Sequence, residues 1–526
     1  MKKILYVIAL SATCFTACKK SDFSDSYADP SKISSTTVSK QFAGFLKSNT
    51  DYVVPSYWNY FVVLRITLNR YVQATGWENS ANQYVPGASA VSDRWNNYYD
   101  FLAQYRELQK VYSQMSEEDQ AANRIYMIAA TIYFYDHSEK VVDLHGSIPW
   151  STAGMLSTNG GDYSSSYASY DGAADIYTKM LDDLKGFADE LNSITVPTGI
   201  QTVFQNQDLV NGGDLTLWKK YCNSLRLRML TRVSDASAFQ SRATTEIGDI
   251  VSSPSTYPLI SSNDDNIQID VYNLSSAINS TGFQTGLEDW NGNIAGKKMI
   301  DHMNTNADPR LRAMFQPGDS AHGVYIGLDP LMLASDQDVL INNSTLAIYN
   351  RSTISRNDYF PGELMNAAEV SFLLSEYYLK AGNDASAKTS YENGIKQSIA
   401  YYYWLRTLSN DNSSGDLTPA TDAETTNYIA APGINWDAAT TTDAKLNLIA
   451  TQKWIHFSVI QPVESWAETR RLDMPQFSFQ VDNANAQTLP PYRFIIPASE
   501  LTYNTANYQS VQSEDKLTNK IFWDVK

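Results

Sequence analysis

Loop aromatics flanked by polar side chains are the residues of this chain best placed to bind a ligand. Trp77 stands in Gly76-Trp77-Glu78-Asn79 and Tyr84 in Tyr84-Val85-Pro86-Gly87, while Trp290 is the lone tryptophan of Leu287-Glu288-Asp289-Trp290-Asn291-Gly292-Asn293. Aromatic faces stack on the apolar faces of sugar rings, and carboxylates and amides bond the hydroxyls. Trp77, Tyr84 and Trp290 would be the stacking groups. Glu78, Asn79, Asp289, Asn291 and Asn293 would be their polar neighbours. No helical stripe accounts for these aromatics, so each either packs its own loop or presents a platform to ligand.

Catalytic and metal chemistry finds less support. Glycoside hydrolysis needs two facing carboxylates; the 57 acidic residues supply many pairs, but no motif selects one. His137 and His145 lie near Asp136, Glu139 and Asp143, which suggests a metal, but the HExxH spacing is missing. Asp264-Asp265-Asn266 with Asp270 could offer oxygens to calcium, yet EF-hand spacing is absent and the stretch reads as a surface turn. A nucleophile elbow is missing, and Gly212-Gly213 lacks the Lys-Ser/Thr of a phosphate loop. Cys222 falls in a helical pattern and reads as a small buried hydrophobe. No catalytic residue, metal ligand or cofactor is assigned.

The elements that must carry such loops read as mainly helical. From Pro361 to Trp404 two helical apolar periods flank Ala381-Gly382-Asn383-Asp384. Gly382 is a helix stop and Asp384 can cap the next helix. Ala387, Tyr391, Gly394 and Ile395 then recur with tetratricopeptide spacing, in which small residues let two helices approach and an aromatic wedges between them. Ala173, Tyr177 and Met180 mark a second helix of this kind. Helices are also predicted over Val38–Leu46, Tyr57–Tyr71, Trp95–Tyr112, Gln120–Leu144, Leu217–Val233 with Asp214 as cap, Lys445–Val459 and Val463–Leu472. Trp218, Tyr221, Leu225, Leu227 and Leu230 share a core-facing pattern, and Trp95 also reads as core. Between Ser252 and Asp358 the helical period fades into a loop-rich insert, in which Ile267–Val271 alternates like a strand.

The chain has 526 residues and a formal net charge of -17, which argues against a nucleic-acid partner. Its 43% hydrophobic and 18% charged residues are those of a globular body. Met1-Lys2-Lys3 followed by the apolar Ile4–Ala12 is a signal-peptide pattern, too short to span a bilayer. Thr16-Ala17-Cys18 resembles a bacterial lipobox, with Phe15 where leucine is usual; such a cysteine is acylated and becomes the new amino terminus. The alternative is an ordinary secretory signal with a stray cysteine. On the lipobox reading residues 1–17 are a lipoprotein signal peptide, Cys18 is the lipidation site and 18–35 form a polar tether.

The order of segments resembles the SusD/RagB family of Bacteroidetes outer-membrane lipoproteins, in its SusD-like branch. The matching stretches are Asp143–Ala153, Asp208–Arg232 (DLVNGGDLTLWKKYCNSLRLRMLTR), Asp308–Leu311, Pro361–Ile395, Thr451–Pro475 (TQKWIHFSVIQPVESWAETRRLDMP) and Pro490–Pro497. Within them Trp454, Phe457, Trp466, Glu468, Arg470 and Arg471 read as ties between helices. The resemblance implies a mainly α fold over 36–526, a single domain of about four tetratricopeptide-like helix pairs, with the insert around 252–358 contributing to a loop-rich ligand region. It implies a surface-exposed, lipid-anchored outer-membrane protein that binds a nutrient glycan and delivers it to a SusC-like TonB-dependent transporter, without being an enzyme. A peptide-binding lid of a similar transporter is the alternative. From other classes, a lipid-anchored hydrolase and a ligand-free helical adaptor stand behind it.

Overall fold

A computed structural model describes residues 36–526. The signal peptide, Cys18 and the tether lie outside the described residues. Ten helices build the scaffold: α1 (Val38–Ser48), α2 (Ala88–Ser113), α3 (Arg124–His145), α4 (Ala173–Leu191), α5 (Leu215–Val233), α6 (Gln240–Ser252), α7 (Ala367–Lys380), α8 (Asp384–Leu408), α9 (Thr442–Phe457) and α10 (Pro462–Leu472). Sequential helices pack as pairs, α2 with α3, α4 with α5, α7 with α8 and α9 with α10. These are the expected tetratricopeptide-like pairs.

The pair α7–α8 shows how the sequence makes them. Gly382 turns the chain at φ +76, a conformation that costs a residue with a Cβ. A Cβ on Gly394 would stand 2.5 Å from Phe372 Cε1, so the missing side chain is what admits the ring. Tyr391 is buried and donates from its hydroxyl to Ile434 O at 2.9 Å. The cap falls one residue earlier than predicted. Asn383 Oδ1 accepts the Ser386 N–H, because the Asp384 carboxylate is drawn outward to Lys445 and the Trp436 indole N–H. Asp214 caps α5 as expected, accepting from Thr216 and Leu217 N–H.

Buried ion pairs tie the pairs to one another. Arg228 of α5 reaches Asp136 of α3 at 2.9 Å and Glu369 of α7 at 2.6 Å. Arg232, one turn on, reaches Asp143 at 3.1 Å and Glu464 of α10 at 2.5 Å. Arg471 and Lys453 share Glu376 and Glu468. Arg470 donates to the Asp143 and Tyr492 carbonyls and stacks on Trp466 at 3.7 Å. Glu139 lies within the cluster with Oε2 3.7 Å from Arg228 and neither carboxyl oxygen hydrogen-bonded, and burial pushes its pKa well above the usual carboxylate range.

Two predicted helices are broken. Over Tyr57–Tyr71 the chain forms a π-helix, Trp58–Leu64, then a break at Thr67 (φ -128, ψ -100) and a short helix, Leu68–Tyr71. The Arg65 N–H donates to Tyr60 O, five residues back. Two insert glycines press on this wide turn: a Cβ on Gly286 would meet Tyr60 Cβ at 3.0 Å, and one on Gly282 would meet Tyr57 N at 2.9 Å. The predicted Gln120–Leu144 helix divides at Asn123, whose amide turns back to Asp119 O.

Short pairings hold the loop segments, in the insert and before it. β1 (Ile148–Pro149) pairs antiparallel with β2 (Tyr170–Asp171), β3 (Ile267–Ile269) with β6 (Gly362–Met365), and β4 (Phe315–Gln316) with β5 (Ile348–Tyr349). In β3 the alternation seen in the sequence places Ile267 and Ile269 inward. Thr75 bridges Ala295, Gly76 N–H donates to Ile294 O, Ala295 N–H to Ala347 O, and Leu328 N–H back to Ala295 O. Four distant segments thus meet beneath the ligand-candidate loops.

Candidate functional site

The two candidate loops spring from that common root. Trp77 lies two residues beyond Thr75, and Asn291 four residues before Ala295. Their aromatics then part company. Trp77 is 8% exposed, donates from its indole to Gln83 Oε1 at 2.9 Å, and carries Arg70 over its ring. Tyr84 is 1% exposed and its hydroxyl donates to Gln480 O at 2.6 Å. Asn79 is buried too; its amide donates to the Pro330 and Met332 carbonyls, and its N–H to Gln337 Oε1. These three side chains pack inward, whereas Glu78 remains exposed.

Asn79 thereby bonds to the edge of a cleft of about 820 Å³, lined by Gln73, Lys298, His302, Asp329, Pro330, Trp454 and Gln476 among others. Asn79 fixes the Pro330 side, and Gln73 donates to Ser478 O on the other. Lys297 pairs with Asp301. His302 is pushed down to about 4 by burial and is neutral.

Trp290 stands outside the cleft and is 82% exposed. Its backbone is left-handed (φ 58, ψ 34), as is that of Asn291 (φ 57), an arrangement that persists only where the surroundings impose it. They do so on both sides. Before it, Glu288 accepts from Arg356 at 2.8 and 2.9 Å and from Ser355 at 2.6 Å. After it, a Cβ on Gly292 would meet Arg65 Cδ at 2.5 Å and Leu287 O at 2.6 Å. Asn293 is buried, and its carbonyl accepts the Tyr349 N–H. Asp289 and Asn291 are exposed on either side of the indole.

The sequence reading missed the neighbours that the broken 57–71 segment supplies. Trp58 is 58% exposed, Tyr57 stacks on Phe61 at 4.9 Å and 13°, and Arg65 lies over Phe61. Helical periodicity read this segment as one buried helix; in the structure it opens on a π-turn, a feature frequent at functional sites, with Trp58 exposed and Tyr57 and Phe61 half-buried.

The remaining polar candidates are buried or engaged within the fold, with His137 Nε2 and both ring nitrogens of His145 lacking hydrogen-bond partners among the described residues. His137 meets the edges of Phe101 and Tyr133, and His145 those of Trp95 and Phe494. Burial lowers both, His145 to about 3. Asp265 is taken by Lys220 and by the Ser261 and Ser262 N–H groups. Among the described residues no group of three His, Cys, Asp or Glu is arranged to hold a metal ion. The Gly212-Gly213 loop spends its amides on Asp208, which accepts from Val210, Asn211 and Gly213 N–H and from the Trp218 indole. The Cys222 thiol is buried, donates to Leu184 O and is pushed up to about 12 by burial. No helix of the described residues is long and apolar enough to cross a membrane.

Residues 30–497 match the SusD-like family described as "Starch-binding associating with outer membrane", and the chain belongs to that family. Solved structures share the fold. A chitin-binding protein is 22% identical with a TM-score of 0.74, covering 92% of this chain and 100% of its own. A Bacteroidetes AC2a SusD-like protein is 20% identical with a TM-score of 0.73, covering 93% and 100%. A SusD homologue from Bacteroides fragilis is 17% identical with a TM-score of 0.74, again covering 93% and 100%. No curated protein matches the chain.

Proposed function

We propose that this protein is a surface-exposed, lipid-anchored glycan-capture protein of the outer membrane that delivers its cargo to a SusC-like TonB-dependent transporter and does not itself cleave it. The observation that carries the reading is Trp290. An exposed indole on a left-handed backbone, clamped before and after, is costly to keep unless its outward face is used. Asp289 and Asn291 supply hydrogen-bonding groups beside it. Glu78 offers another exposed group, next to Asn79, whose side-chain amide holds the Pro330 edge of the cleft. The family description and the chitin-binding neighbour support a polysaccharide cargo.

The test is titration calorimetry of the soluble body, Lys19 onward, against starch, chitin, plant, fungal and host glycans, with a peptide mixture included. Saturable binding to a glycan without product, weakened about tenfold or more by Trp290→Ala, is expected; tenfold corresponds to ~1.4 kcal/mol. Binding to peptides alone would replace this reading with that of a peptide-binding lid. Turnover of a bound glycan would replace it with a hydrolase. Delivery is tested separately, by co-purification from outer membranes with a β-barrel transporter.

A further inference from the structure

Beneath the Trp290 loop lies a half-buried arginine that forms no salt bridge among the described residues. Arg65 follows the π-helix, and its guanidinium sits 4.1 Å from the centroid of Phe61. Its stem runs under the Trp290 loop, against Gly292. Its Nε is buried without a hydrogen-bond partner among the described residues. Glu288, the acid at the start of the same loop, is already committed to Arg356 and Arg351. Asp289 and Tyr57 act on Arg65 at longer range and oppose the lowering of its pKa by burial.

The Arg65 guanidinium is only half withdrawn from water, and its buried Nε–H costs free energy while it lacks an acceptor. Its planar fork matches a carboxylate through two parallel hydrogen bonds. Two exposed indoles, Trp58 and Trp290, stand on the two elements between which it emerges. We infer that this face is a subsite for a uronic-acid sugar, with Arg65 taking the carboxylate and an indole taking the ring. The inference rests on the glycan reading above and gives it a chemical class. With a net charge of -17, the long-range field does not draw an anion in, so the preference must arise from this local contact.

The test compares uronic-acid oligosaccharides (galacturonan, glucuronan and alginate fragments) with their methyl esters, on the native chain and on Arg65→Gln and Arg65→Lys. The native chain should bind at least one acid about tenfold tighter than its ester. Arg65→Gln should erase that difference while leaving ester binding unchanged, and Arg65→Lys should restore only part of it. Equal binding of acid and ester by the native chain overturns the inference without any variant, and so does a preference that survives in Arg65→Gln. Binding of neutral starch or chitin fragments alone removes the acidic subsite and leaves glycan capture standing. Silence toward every glycan removes both.

Discussion

Arg228 donates from Nε and Nη2 to both oxygens of Glu369, at 2.6 and 3.0 Å, and so joins α5 to α7 across 141 residues of chain. Both side chains are buried. The same guanidinium holds Asp136 of α3, so one residue registers three helices from three different helix pairs. Truncating a partner of a buried pair leaves charge without compensation, at a cost of about 3–5 kcal/mol. Arg228→Ala should lose that much in urea unfolding. Adding Glu369→Gln should return part of the loss, because a neutral amide leaves no stranded charge, and the double-mutant cycle measures the coupling. A loss under about 1 kcal/mol would mean that Lys140, which also pairs with Asp136, carries the junction instead.

Glu363 gives the fold a pH dependence of defined sign. Burial pushes its carboxyl up to about 7, against lowering hydrogen bonds from Tyr401 and Asn366, from an ordinary value of 4.5. Between those two values the native state holds a proton that the unfolded chain has released. This group's contribution is therefore complete below 4.5 and is lost as pH rises through 7. Glu363→Gln removes the titration. Relative to the native chain, the variant should gain about 3 kcal/mol in unfolding free energy between pH 4.5 and 8. Parallel stability curves for the two proteins would assign the titration elsewhere.

Gly394→Ala sets two effects against each other. Alanine favours a helix interior by ~1 kcal/mol over glycine. Its Cβ, however, would stand 2.5 Å from the Phe372 ring, and such crowding in a packed core costs roughly 1–3 kcal/mol. The clash should win, lowering the thermal midpoint, and Phe372→Leu in the same chain should relieve it. A raised midpoint would show that the ring can move aside at no cost.

That residue also marks how much the sequence disclosed. Gly394, Tyr391 and Ala387 were legible because a tight helix pair leaves a periodic trace of small and aromatic residues. Trp290 was legible as a lone indole in a polar loop, and its exposure agrees with the absence of any stripe. Trp77 and Tyr84 looked the same in sequence. What turns them inward lies in part far along the chain, as with Gln480, 396 residues from Tyr84, and spacing carries no record of such a partner. The π-turn at Trp58–Leu64 left no mark either, since an i to i+5 hydrogen bond has no residue signature and the apolar period reads as an ordinary helix. Arg65 was hidden for both reasons at once.

Trp290 separates stability from binding most cleanly. In the left-handed region a tryptophan costs roughly 1 kcal/mol or more, and glycine removes that cost while adding chain entropy of about the same size. The indole is 82% exposed, so little burial is lost with it. Trp290→Gly should therefore unfold within about 1 kcal/mol of the native chain in urea. Its affinity for the captured glycan should still fall about tenfold or more, as for Trp290→Ala. Should the glycine variant lose more than about 2 kcal/mol of stability, the indole would be fastening its loop rather than waiting for a ligand. Glycan capture would then have to be sought in the 820 Å³ cleft.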